Sequence, residues 1–162
     1  MNSDFKELLE IFNVNKVRYL IIGGYAVMEY AEPRYTKDLD LWIDRDLANA
    51  KRLYRSLVEF GAPLANLTYE DFIQEGHFYR IGVPPVMVDI LFSINEISFE
   101  EAWTRRHTVE YQGVTLLFVA KSDLIHIKTL SNRLQDKLDV QMLLLSVRQP
   151  EEFTPPTSSD GT

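Results

Sequence analysis

The chain has 162 residues, a 46% apolar and 25% charged composition and a formal net charge of −7. That describes one ordinary globular domain, long enough to bury a core unaided. It holds no cysteine, which excludes disulfides and thiolate metal sites. The acidic balance argues against a partner held mainly through phosphates, such as long duplex nucleic acid.

The elements follow in chain order. Phe5, Leu8, Leu9 and Phe12 fall at helical spacing over residues 4–13, with Ser3 or Asp4 as a cap. The N-terminus shows no basic and apolar leader pattern, and no apolar run nears the ~20 residues of a membrane helix, so a cytoplasmic, membrane-free protein is expected. Residues 17–22 form a buried strand that stops at Gly23-Gly24, and a helix through Ala26–Tyr30 follows, ended by Pro33. Asp38-Leu39-Asp40-Leu41-Trp42-Ile43 is a second strand, and Leu47–Phe60 a helix closed by Gly61. Residues 64–76 are ambiguous. Strands are expected over His77–Gly82 and Val86–Phe92, joined across Pro84-Pro85, then a short helix over Ser98–Arg105. Thr108–Tyr111 and Val114–Val119 read as a hairpin turning at Gln112-Gly113. Ser122 caps a helix reaching about Leu130, and a last helix points Leu134, Leu138, Met142 and Leu145 inward. The domain spans residues 1–148, and the Pro-, Ser- and Thr-containing segment 149–162 reads as a flexible tail. This order predicts an α/β (α+β) fold with a mixed sheet.

Side chains alternate along a strand, so Asp38 and Asp40 share one face while Leu39 and Leu41 take the other. Two neighbouring carboxylates repel unless a proton or cation relieves them, and magnesium takes one or two carboxylates together with substrate phosphates. Asp89 interrupts Val86-Met87-Val88 and Ile90-Leu91-Phe92, an apolar run suited to a buried strand. A buried carboxylate there needs a metal or an ion-pair partner such as Arg80. Gly23 and Gly24 allow a tight turn, and backbone N–H groups at a helix start attract phosphate. Arg34 is a candidate phosphate ligand or a solvated loop charge. Lys128 either reaches a triphosphate or extends to water. Arg133 and Asp136 also make a plain i,i+3 pair. Tyr25 and Tyr30 are read as core, and His77, His107 and His126 lack metal-ligand spacing.

An apolar strand, Gly23-Gly24, a spacer of about a dozen residues, Asp38-x-Asp40 and a later Asp89 together resemble the nucleotidyltransferase superfamily, in particular its small prokaryotic single-domain members, many tied to toxin–antitoxin systems. The likeness runs over roughly residues 16–146, ending in Lys121 to Lys128, Asn132-Arg133 and Asp136 to Asp139. The resemblance implies a mixed-sheet core with a C-terminal helix pair. It also implies catalytic and metal-binding roles for Asp38, Asp40 and Asp89, and Mg2+ (or Mn2+) as cofactor. Nucleotide binding would fall to Gly23, Gly24, Arg34 and Lys128. The expected reaction moves a nucleoside monophosphate from a nucleoside triphosphate to an acceptor hydroxyl and releases pyrophosphate. The charge favours a protein or small-molecule acceptor and leaves RNA open. The alternative is a non-catalytic or regulatory toxin–antitoxin component on the same scaffold, acting on a cognate partner.

Overall fold

The computed structural model describes residues 1–33, 35–83 and 86–146. Arg34, the Pro84-Pro85 link and the expected tail at 149–162 therefore lie outside the described residues. A six-stranded mixed sheet runs in the order β3-β4-β2-β1-β6-β5. The strands are β1 (Tyr19–Ile22), β2 (Asp38–Ile43), β3 (Phe78–Val83), β4 (Val86–Leu91), β5 (His107–Tyr111) and β6 (Val114–Phe118). β1 is antiparallel to β2 and parallel to β6, β4 is parallel to β2, and β3–β4 and β5–β6 are antiparallel hairpins. The helices are α1 (Ser3–Val14), α2 (Gly23–Tyr30), α3 (Leu47–Phe60), α4 (Phe99–Thr104), α5 (Lys121–Thr129) and α6 (Leu134–Leu145). Residues 64–76, ambiguous in sequence, hold a 3-10 turn at Tyr69–Ile73. Among the described residues no helix is long and apolar enough to cross a membrane.

The core forms where period and caps agree. α3 begins at Asp46, whose carboxylate accepts from Asn49 N–H, and ends at Gly61 with φ +86°. The β5–β6 turn puts Gln112 at φ 48° and Gly113 at φ 80°, the left-handed pair that suits a two-residue hairpin. Tyr25 packs edge-on to Phe5, and the Tyr30 hydroxyl donates to Val119 O, so both tyrosines are core residues, as expected.

Three local expectations need correction. Asn2 rather than Ser3 or Asp4 caps α1, since its side chain accepts from Asp4 N–H. α5 starts at Lys121 without a side-chain cap, so Ser122 lies inside it. The inward face of α6 is also different. Leu134 is 72% exposed and Leu145 82%, whereas Asp139 and Leu143 are fully buried. The helix turns its acidic side inward because a buried lysine of α5 needs those carboxylates.

Asn49 shows how the sheet and α3 are held in register. It is fully buried. Its Oδ1 accepts from Arg18 N–H at 2.8 Å, and its Nδ2 donates to Arg18 O at 3.1 Å and Asp44 O at 2.6 Å. Asn49→Ala leaves buried backbone groups without these partners, so a loss of about 2–3 kcal/mol is expected. A urea titration showing a lower midpoint at unchanged slope checks this; an unchanged midpoint would refute it.

Candidate active site

β2 lies between β1 and β4, and its burial alternates over Asp38–Leu41, with Leu39 and Leu41 fully buried on one face. Asp38 and Asp40 therefore share the other face, as the alternation predicts. The parallel register pairs Asp40 with Asp89 and Asp38 with Met87. Register partners point the same way, so Asp89 stands beside Asp40 one strand spacing away, about 4.8 Å. From the other side the antiparallel register pairs Ile22 with Asp40. The next residue, Gly23, opens α2 at φ +69°. A Cβ added there would lie 2.1 Å from Asp40 Oδ2 and 2.9 Å from Asp40 Cβ. The Asp40 side chain thus rests on bare glycine backbone at the start of a helix.

Asp40 is pushed up to about 7, first by burial, then by Asp89 and Asp38, against opposing pulls from Lys128 and Arg133. A carboxylate that ionises with such difficulty calls for a cation. An all-oxygen donor set of carboxylates suits a hard divalent ion, and the glycine cradle keeps Asp40 in place for it. Asp38 and Asp40 therefore fit magnesium or manganese, with phosphate oxygens completing the shell.

Asp89 is engaged differently. It is 8% exposed. Arg80, its register partner on β3, donates from Nε to Oδ1 at 2.7 Å and from Nη2 to Oδ2 at 3.2 Å. The ion pair offered by the sequence as the alternative role of Asp89 is thus present. Consistent with this, among the described residues no group of three His, Cys, Asp or Glu side chains is arranged to hold a metal.

Lys128 does not extend to water. It is buried, with Nζ 2.9 Å from Asp136 Oδ1 and 2.9 Å from Asp139 Oδ2. Burial alone would raise the Asp136 carboxyl, yet the Ser131 hydroxyl, Lys128 and Arg133 together hold it below the usual range. Lys128 and Arg133 both pull the Asp40 carboxyl down, so these two cations are within electrostatic reach of it. Arg133 is 79% exposed and 4.0 Å from Asp136, the plain i,i+3 contact. His107 contacts the buried Glu29 at 3.2 Å, away from a metal role. The Asp136/Asp139 clamp was not foreseen; its signal was two acids three apart on the helix after a lysine whose neighbours are apolar. A cavity of about 340 Å³ lies past the far ends of β2 and β4, lined by Trp42, Asp44, Phe92 and Phe99 among others, and includes none of the carboxylate row.

No family profile matches the chain, and neither does any curated protein. Solved structures do. A lincomycin-bound lincosamide antibiotic adenylyltransferase, LnuA, aligns at TM-score 0.59 and 15% identity over 90% of this chain and 97% of that one. A putative nucleotidyltransferase from Thermotoga maritima aligns at TM-score 0.58 and 13% identity, covering 88% and 91%. ANT(2")-Ia in complex with adenylyl-2"-tobramycin aligns at TM-score 0.56 and 11% identity, covering 87% and 86%. The fold is therefore the nucleotidyltransferase fold.

Proposed function

We propose that this protein is a metal-dependent nucleotidyltransferase that transfers a nucleoside monophosphate from a nucleoside triphosphate to a hydroxyl of a small molecule or protein. The observation that carries this reading is the Asp40 carboxylate, hard to ionise, seated on Gly23 between Asp38 and Asp89. Asp38 and Asp40 hold the metal, which when bound neutralises phosphate charge and acidifies the attacking hydroxyl. The Gly23-Gly24 turn brings backbone N–H groups to the phosphates. The acceptor oxygen bonds to the α-phosphorus, the α–β bridging bond breaks, and pyrophosphate departs. Asp89 joins Asp38 and Asp40 as a further ligand and takes the hydroxyl proton. Arg34 and Lys128 are the candidate phosphate ligands, and Lys128 reaches a phosphate only by leaving Asp136 and Asp139. Two of the structural neighbours are bound to lincomycin and to adenylyl-2"-tobramycin, which supports a small acceptor. The net charge of −7 weighs against long nucleic acid.

A second reading, a non-catalytic component on the same scaffold such as one half of a toxin–antitoxin pair, is favoured by one observation: Arg80 closes Asp89. Calorimetry separates the two. Weak binding of Mg2+ or Mn2+ alone, tightened by a triphosphate and lost in Asp38→Ala/Asp40→Ala, is the expected result. Absence of any metal-dependent nucleotide binding would leave the non-catalytic reading. Incubation with labelled triphosphate and candidate acceptors, tRNA included, then shows where label goes; efficient tRNA labelling that falls steeply with salt would overturn the acceptor assignment.

A further inference from the structure

Asp40, Asp89 and Arg80 form one lateral row across β2, β4 and β3, because Asp89 is the register partner of both. Asp89 thus stands between the Asp40 carboxylate and the Arg80 guanidinium. Both of its oxygens face Arg80, at 2.7 and 3.2 Å. The two partners are not equally enclosed. The Asp89 side chain is 11% exposed and that of Arg80 49%. Among the described residues β3 is an edge strand of the sheet, beside β4, and the Arg80 side chain is half exposed there. It also lies 5.4 Å from the ring of Phe78, two residues earlier on the same strand face.

We propose that Arg80 is an exchangeable counter-ion: it holds Asp89 while no metal is present and gives it up when metal and nucleotide arrive. This rests on the nucleotidyltransferase reading above. A divalent ion entering between Asp40 and Asp89 meets the positive guanidinium across the row, and repulsion between the two cations lowers its affinity. A triphosphate removes the conflict, since its oxygens offer ligands to the metal and an anion to the released arginine. Arg80 thereby makes metal binding conditional on nucleotide. It is a positioning residue, acting through Asp89.

The probe is Mn2+, titrated into nucleotide-free protein by calorimetry or paramagnetic resonance, in wild type, Arg80→Gln, Asp89→Asn and the double variant. Arg80→Gln is expected to bind Mn2+ about tenfold more tightly than wild type, because the site loses its internal cation. The gain that a triphosphate brings to Mn2+ affinity is expected to shrink in the same variant. In the Asp89→Asn background Arg80→Gln changes Mn2+ affinity by less than about twofold, as required of a residue acting through Asp89. Arg80→Lys, a point charge without the planar fork, falls between. It also serves if Arg80→Gln does not fold. Unchanged or weaker Mn2+ binding in folded Arg80→Gln, or an equal gain in the Asp89→Asn background, overturns the proposal. The underlying reading fails separately: it falls if neither wild type nor Arg80→Gln binds a triphosphate with Mn2+.

Discussion

Gly23→Ala is expected to cost about 2–4 kcal/mol of stability and to abolish metal-dependent nucleotide binding. Two effects add. Gly23 sits at φ +69°, where an L side chain is strained. Its new methyl would also meet Asp40 from Oδ2 to Cβ, at 2.1 to 2.9 Å, so the whole Asp40 side chain must move. Gly113→Ala separates the two effects. Gly113 has φ +80° with nothing within 4 Å of an added Cβ, so it should show the backbone strain alone, about 1 kcal/mol. If the excess at Gly23 is contact with Asp40, the double variant Gly23→Ala/Asp40→Ala recovers part of the loss, a coupling of about 1–2 kcal/mol in a urea-melt cycle. Strict additivity would show that Gly23 serves the turn and not the carboxylate.

What the sequence discloses about this molecule is mostly local. The bounds of β2 and α3 match the expected ones because alternation, the Asp46 cap and Gly61 are encoded within the elements. The common face of Asp38 and Asp40 was legible for the same reason, a period of two. α6 was misread because its leucine spacing admits a helical face without saying what the helix packs against. Lys128, on another helix, settles that by drawing in Asp136 and Asp139. The contact of Gly23 with Asp40 was illegible as well. It depends on the antiparallel register of β1 and β2, which no motif states. The Arg80–Asp89 pair lay between these cases. The burial of Asp89 demanded a cation, and the sequence left open whether an arginine or a metal provides it.

In metal-free protein that unmet demand at Asp40 should appear as stability that falls when pH rises. The folded carboxyl is raised to about 7 from an ordinary value of 3.8. Between those values the unfolded chain has released the proton while the folded chain keeps it. Raising the pH therefore favours unfolding until the folded group also ionises, and the contribution levels off above about pH 7. From pH 5 to pH 8 the loss should be about 2–3 kcal/mol. Asp44, raised mainly by burial, acts in the same direction, so the wild-type profile alone does not identify the source. The difference between wild type and Asp40→Asn does. Asn keeps the size without the charge, so the variant should converge on wild type only as pH falls below about 3.8 and be increasingly the more stable of the two up to pH 8 in the presence of a chelator. Adding Mg2+ and a triphosphate at pH 8 should reverse the order, raising the melting temperature of wild type and leaving Asp40→Asn unmoved. A wild type and variant that stay parallel across this pH range would mean that the Asp40 carboxylate is already relieved within the protein, and the strongest physical argument for a cation at this site would be gone.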